Sequence, residues 1–309
     1  MAAAHGGACD RWTGRTSQLW MVGSNWSDGV PSAGTHVCID ANGHSSTASL
    51  DASADVATVT VSPGAQLALW PSARLTLTGA MRISGTLTFS EQGAQIHLPQ
   101  LTVEHRGSMS GVGEIVGSVV NAGRVLATNG GNGTPLEVSR SYTQLATGLL
   151  YSSDERDRFA ELHAASASLA GALQPVAVAG LKPRSSYTLI TAQQVKGRFS
   201  RVMAGYVVRY ARDVVRAVVT PEIKLAHASV KPGKAVAVSG ASFGPRGSVR
   251  LHLNGPTGVQ IGSATVDDSG GFEGLARVPR DTRPGRHVLV AVKSPQGYTA
   301  RATVVVAGG

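Results

Sequence analysis

Between residues 56 and 125, apolar residues alternate with polar ones in very short runs, and each run ends at a glycine or a polar turn. The runs include TVTV (Val59, Val61), QLAL (Leu67, Leu69), RLTL (Leu75, Leu77), MRI (Met81, Ile83), TLTF (Leu87, Phe89), QIHL (Ile96, Leu98) and QLTV (Leu101, Val103). A period of two is the signature of a strand with one buried face. Because no helical stretch separates the runs, hairpins and stacked solenoid coils both satisfy the pattern. Three features favour a parallel β-solenoid over a meander or barrel. The strands are very short, the turns lack the Asn-Gly and Asp-Gly pairs of two-residue hairpins, and glycine recurs at the corners, at Gly64, Gly79, Gly85, Gly93 and Gly107. The segment GVGEIVGSVVNAGRVLA continues the same figure.

Composition agrees with an all-β chain. Of 309 residues, 38 are Gly, and only 15% are charged and 5% aromatic. Glycine serves turns, and β-branched residues serve pleated surfaces. The length favours two domains. The texture changes at Pro221, after which KPGK, FGPRG, NGPTG, DDSGG and RPG separate strands at sandwich-like spacing. The expected division is an N-terminal cap over 1–50, a β-solenoid with its own C-terminal cap over 51–220, and an immunoglobulin-like β-sandwich over 221–309.

Three of the four Trp (Trp12, Trp20, Trp26) and both Cys (Cys9, Cys38) precede residue 40. A solenoid leaves unpaired strand edges at its ends, and bulky aromatics are suited to covering the first coil. Trp faces also stack on pyranose rings, so Trp12, Trp20, Trp26 and Trp70 read either as cap or as sugar platform. The Cys spacing fits no metal pattern. A disulfide between Cys9 and Cys38 would contribute about 3 to 4 kcal/mol in the chain-entropy account, the alternative being two buried thiols. The bond is favoured because the rest of the chain reads as extracellular.

The motifs that would make this chain an enzyme are sparse. GVGEIVG lacks dinucleotide-binding spacing, and GSMSG lacks the strand-turn-helix setting of a nucleophile elbow. His97, Glu104 and His105 are the nearest approach to a ligand set, but a metal site needs three or four converging groups. In the stretch from Val56 to Val125 the acids are Glu91, Glu104 and Glu114, too few to expect the carboxylate pair of a glycoside hydrolase. The loops at Asp40 and Asp267 carry too few oxygens for calcium and read as turns. No catalytic residue, metal or cofactor is therefore expected. Sequons stand at Asn25 and Asn132.

The net charge of +9 comes mostly from scattered Arg, with only six Lys. No basic helix or aromatic-interleaved basic strand marks a nucleic-acid partner. No apolar run is long enough for a membrane helix. MAAAHGGACD has neither the basic nor the apolar region of a secretory leader, so either the chain begins at a mature end or it is not exported.

The stretch WMVGSNWSDGVPSAGTHVCI resembles the opening of β-helical bacterial surface proteins, with Thr35 standing where those proteins place Asp. SYTQLATGLL, followed by ASASLAGALQ, SYTLITA and GRFS, is similar to the end of autotransporter-type passenger β-helices. VSGASFGPRG and VDDSGGFEGLARVPRDTRPGRHVLVA are similar to immunoglobulin-like modules of secreted bacterial proteins. The resemblance implies a secreted, non-enzymatic surface protein at the cell surface or outside it, working in adhesion or envelope scaffolding with a glycan or protein partner. The alternative it leaves open is a carbohydrate-binding module or remnant of a polysaccharide-active β-helix enzyme.

Overall fold

The computed structural model describes residues 9–90, 93–128, 134–153, 159–176, 184–203, 205–244, 246–294 and 298–308. Among these residues the regular secondary structure is strand apart from one 3-10 turn, Gly23–Asn25. The sequon at Asn132 falls outside the described residues.

The alternating runs stack in parallel, one coil upon the next. On one face His36–Ile39, Thr58–Val61, Met81–Ile83, Gln95–Val103, Glu114–Asn121, Leu136–Gln144, Leu162–Leu169 and Ser186–Gly197 follow one another. On a second face the order is Thr47–Leu50, Gln66–Leu69, Thr86–Phe89, Ser108–Gly111, Arg124–Ala127, Leu149–Ser153, Ala172–Val176 and Arg201–Val202. This is a β-solenoid. Side-chain hydrogen bonds give the repeat of the first coils: His36 to Thr58, Ser62 to Asp40, Gln66 to Thr88, Arg82 to Glu104 and Thr86 to Ser108 each join residues 22 apart. The coil begins within the segment expected as cap, since His36–Ile39 and Thr47–Leu50 are already paired.

Alternation becomes packing because every second side chain points inward. Thr86–Phe89 and Glu114–Asn121 show an unbroken alternation of partly exposed and buried residues. Register then stacks like upon like: Leu67, Leu87, Met109, Val125, Leu150 and Leu173 form one buried column. Each such side chain contributes about 1.5–3 kcal/mol by leaving water. In early coils a corner at Gly79 divides one side into Arg74–Leu77 and Met81–Ile83, and both pair with the single strand Gln95–Val103 above them. That strand shifts register between His97 and Gln100, where Pro99 lacks the N–H a regular ladder requires.

Glycines Gly85, Gly107, Gly123, Gly148 and Gly171 mark another corner on successive coils. The carbonyl of each accepts a hydrogen bond from a backbone N–H one coil later: Ser108 to Gly85, Arg124 to Gly107, Leu149 to Gly123, Ala172 to Gly148 and Arg201 to Gly171. The coils approach so closely here that a Cβ at Gly107 would lie 1.9 Å from the Ile83 oxygen, and one at Gly123 would lie 2.1 Å from the Glu104 oxygen. Beside this corner the core turns polar. Asn121 and Gln144 are buried and in register; Asn121 donates to the Leu149 carbonyl, and Gln144 donates to those of Ala170 and Ala172. Tyr142 donates to Gln144 at 2.8 Å, and its burial raises the phenol's pKa far above the ordinary value.

Contacts divide the chain into two units. The first comprises 1–176, 188–202 and 210–216; the second comprises 177–187, 203–209 and 217–309. The second unit contains a three-stranded antiparallel sheet (Glu222–Leu225, Ala235–Ala241, Phe272–Arg277). It also contains a five-stranded sheet ordered Ser229–Val230, Tyr298–Val306, Gly285–Lys293, Ser248–Leu253, Val259–Thr265. Residues from both sheets share one core, with Phe243 and Phe272 edge to face at 5.3 Å.

Substitution of Gly123 by Ala is expected to destabilise the solenoid by about 2 kcal/mol or more, because the obstruction is backbone and cannot swing aside. Thermal unfolding followed by circular dichroism reads this. An unchanged Tm would mean that the corner is more open than described.

Candidate functional site

At the start of the coil, Asp10–Arg11 adds a two-residue strand to His36–Ile39. The Cys9–Cys38 disulfide ties the same segment down, with its Cα atoms 5.9 Å apart. Trp12, Trp20 and Trp26 are all buried. Trp26 lies between the other two, with ring centroids 4.9 Å from Trp12 and 4.6 Å from Trp20, both edge to face. Such pairs add about 0.5–1.5 kcal/mol beyond burial. Trp12 Nε1 donates to the Ser45 carbonyl, and Trp26 Nε1 donates to that of Trp20. No pyranose can lie on faces covered in this way.

The loop between these rings is organised by Asn25. Its Oδ1 accepts from the backbone of Thr16 and Ser17, while its Nδ2 donates to Ser17 Oγ and the Leu19 carbonyl. Asp10 Oδ1 accepts from Ser27 Oγ and the Asp28 N–H. Asp40 pairs with Arg11 and accepts from Ser62 Oγ, binding the first coils to the N-terminal segment. In the second unit, Asp267 accepts from Ser269 Oγ and the Gly271 N–H, bonds that hold its carboxyl below the usual range. Both Asp40 and Asp267 thus tie local structure together.

Trp70 stands apart from the other three. It is 47% exposed at the corner after Gln66–Leu69, and among the described residues no ring pair includes it. His97, Glu104 and His105 do not converge: His97 Nε2 lies 3.4 Å from Gln95, Glu104 pairs with Arg82 at 2.8 Å, and His105 lines a separate groove. Among the described residues no group of three His, Cys, Asp or Glu is placed to hold a metal ion.

The structure does assemble a polar row that the sequence reading missed. Gln95 Nε2 donates to Glu114 at 2.8 Å, Glu114 is in register with Glu137, and His163 lies between Glu137 (3.0 Å) and Glu161 (3.1 Å). A search for carboxylate pairs that ends at Val125 cannot find it, because three of the members come later in the chain. Each side chain of the Glu137–His163–Glu161 cluster is more than a third exposed, so water screens the attraction. The hollow beside Glu114 and Glu137 encloses about 150 Å³, against roughly 300–1,000 Å³ for small-molecule sites.

A wider groove of about 610 Å³ follows the glycine corner. Gly123, Gly148 and Gly171 form its floor, with Arg106, Arg124 and Arg201 on its sides. Among the described residues its lining includes His105 but no Asp or Glu.

No protein-family model and no curated protein matches the sequence. A solved structure of a chitinase from Paenibacillus sp., described as a cell-surface-expressed multi-modular enzyme machinery, is similar over 87% of this chain at 11% identity and a TM-score of 0.20. The similar region is 24% of that protein's chain. Among the described residues no helix is long and apolar enough to cross a membrane.

The burial pattern predicts that acrylamide quenches one tryptophan strongly and three weakly. Replacing Trp70 with Ala should remove most of the quenchable emission and leave a blue-shifted remainder. Strong quenching that persists in the variant would show that the N-terminal rings are open to solvent.

Proposed function

We propose that this chain is a non-catalytic module of a secreted or cell-surface protein, and that it works by presenting the outer faces of a disulfide-sealed β-solenoid for adhesion or envelope scaffolding. The observation that carries this reading is the N-terminal assembly. A disulfide, three buried indoles and the Asp40 network seal the end of the coil, and disulfides of this kind persist in oxidising compartments outside the cytosol. Sealing protects the edge strand from pairing with another chain. The faces along the coil are left free for contact. The two-sheet second unit fits the role of an immunoglobulin-like spacer.

The exposed Trp70 favours a second reading, in which the chain is a carbohydrate-binding module that stacks one pyranose on that ring. The two readings part on one substitution, since Trp70→Ala abolishes binding only in the second.

The test is binding of the purified chain to bacterial envelope fractions, with soluble reducing ends assayed in parallel. The expected result is retention on the envelope without release of sugar. Release of reducing ends that depends on Glu114 or Glu137 would make the chain an enzyme and overturn the proposal.

A further inference from the structure

The groove along the glycine corner combines features that the scaffold reading does not use. Arg124 is in register with Leu149, Leu149 with Ala172, and Ala172 with Arg201. At about 4.8 Å per coil, the two guanidinium-bearing positions stand about 14 Å apart along the coil axis. Arg106 immediately precedes the glycine one coil before Arg124, extending the row toward the N-terminal end. Between the arginines the wall is low, formed by glycine, Ala146, Ala172 and the hydroxyl-bearing Thr147 and Ser200.

All three arginines are exposed, and among the described residues none forms an ion pair or side-chain hydrogen bond. The nearest acid in sequence, Glu104, is engaged by Arg82. The guanidinium groups are therefore unneutralised, and their planar forks suit carboxylate or phosphate oxygens.

We infer that the groove formed by Arg106, Arg124 and Arg201 binds a linear acidic glycan laid along the solenoid axis. The inference rests on the surface-module reading above and names its ligand. The coil spacing is close to the length of one pyranose residue, so an anionic group recurring along the polymer meets the arginines in a fixed register. The small lining residues leave room for the sugar backbone, and the hydroxyls of Thr147 and Ser200, which donate to the carbonyls of Ala122 and Gly171, remain able to accept from its own. A nucleic acid fits less well, because single strands take much of their affinity from aromatic stacking and among the described residues no Phe, Tyr or Trp lines this groove. Carboxylate and phosphodiester glycans share the recognition chemistry, and the choice between them falls to experiment.

The experiment measures affinity of the full chain by titration at low and at physiological salt. The probes are polygalacturonate, a glycan of phosphodiester-linked pyranoses, neutral dextran and a single-stranded DNA oligonucleotide. At least one of the two anionic polymers is expected to bind in a salt-sensitive manner, with dextran silent and DNA weaker, and the stronger of the two identifies the anion. The triple variant Arg106→Gln, Arg124→Gln, Arg201→Gln should lose about tenfold or more in affinity. The corresponding triple Lys variant should retain part of it, and Arg74→Gln, placed off the groove, should retain all of it. Unchanged circular dichroism and Tm in each variant exclude a folding defect. Wild-type affinity in the triple Gln variant, equal binding of dextran or DNA, or no binding of either anionic polymer overturns the inference. If the chain still binds envelope fractions in that case, the surface-module proposal stands; if envelope binding fails as well, both fall.

Discussion

The fold depends on one constraint repeated along its length: every coil hydrogen-bonds in parallel to the coil before it, so each residue's depth is set by the residue it stacks upon. At the glycine corner the carbonyl of Gly107 receives the Arg124 N–H, that of Gly123 receives Leu149, and that of Gly148 receives Ala172. A side chain at these positions would collide with the preceding coil's backbone, so the corner closes only where glycine stands. The register fixed there places Leu87 on Leu67 and Met109 on Leu87. The hydrophobic column is a consequence of the ladder, and its burial supplies most of the stability. In a linear array of this kind, stability is close to a sum of terms for neighbouring coils.

Two departures from a uniform coil follow from the same constraint. Beside the glycine corner the buried amides of Asn121 and Gln144 turn inward and donate to the carbonyls of Leu149, Ala170 and Ala172. Removing either amide loses these bonds, each worth about 0.5–1.5 kcal/mol. At the N-terminal end of the described coils, Asp10–Arg11 pairs with His36–Ile39, and the disulfide and the buried Trp cluster stand beside that pairing. Both devices are polar or aromatic residues standing where stacked aliphatics run out.

Much of the coil was legible because TVTV, QLAL and TLTF show strand period and glycine marks the corners. The Cys9–Cys38 pairing was legible because the chain has only two Cys, which lie on either side of the Trp cluster and match no metal pattern. What the sequence hid depends on register between coils of unequal length. Glu137 and His163 are neighbours across 26 residues, whereas Arg82 and Glu104 are neighbours across 22. Without knowing which coils are longer, Glu114, Glu137 and His163 cannot be placed on one face. The same uncertainty hid the alignment of Arg124 with Arg201, which looked like scattered charge. His97, Glu104 and His105 illustrate the converse, since closeness in sequence put them on different neighbours.

The account treats the sealed N-terminal end as the anchor from which order propagates along the coil. Residue-resolved hydrogen exchange before and after reduction of the Cys9–Cys38 disulfide tests this most directly. The account predicts that protection falls most at Val37 and Val59, less at Met81 and Leu101, and little at Tyr142, a gradient that fades with each coil. Equal loss across the whole solenoid, or no loss in the first coils, would contradict it.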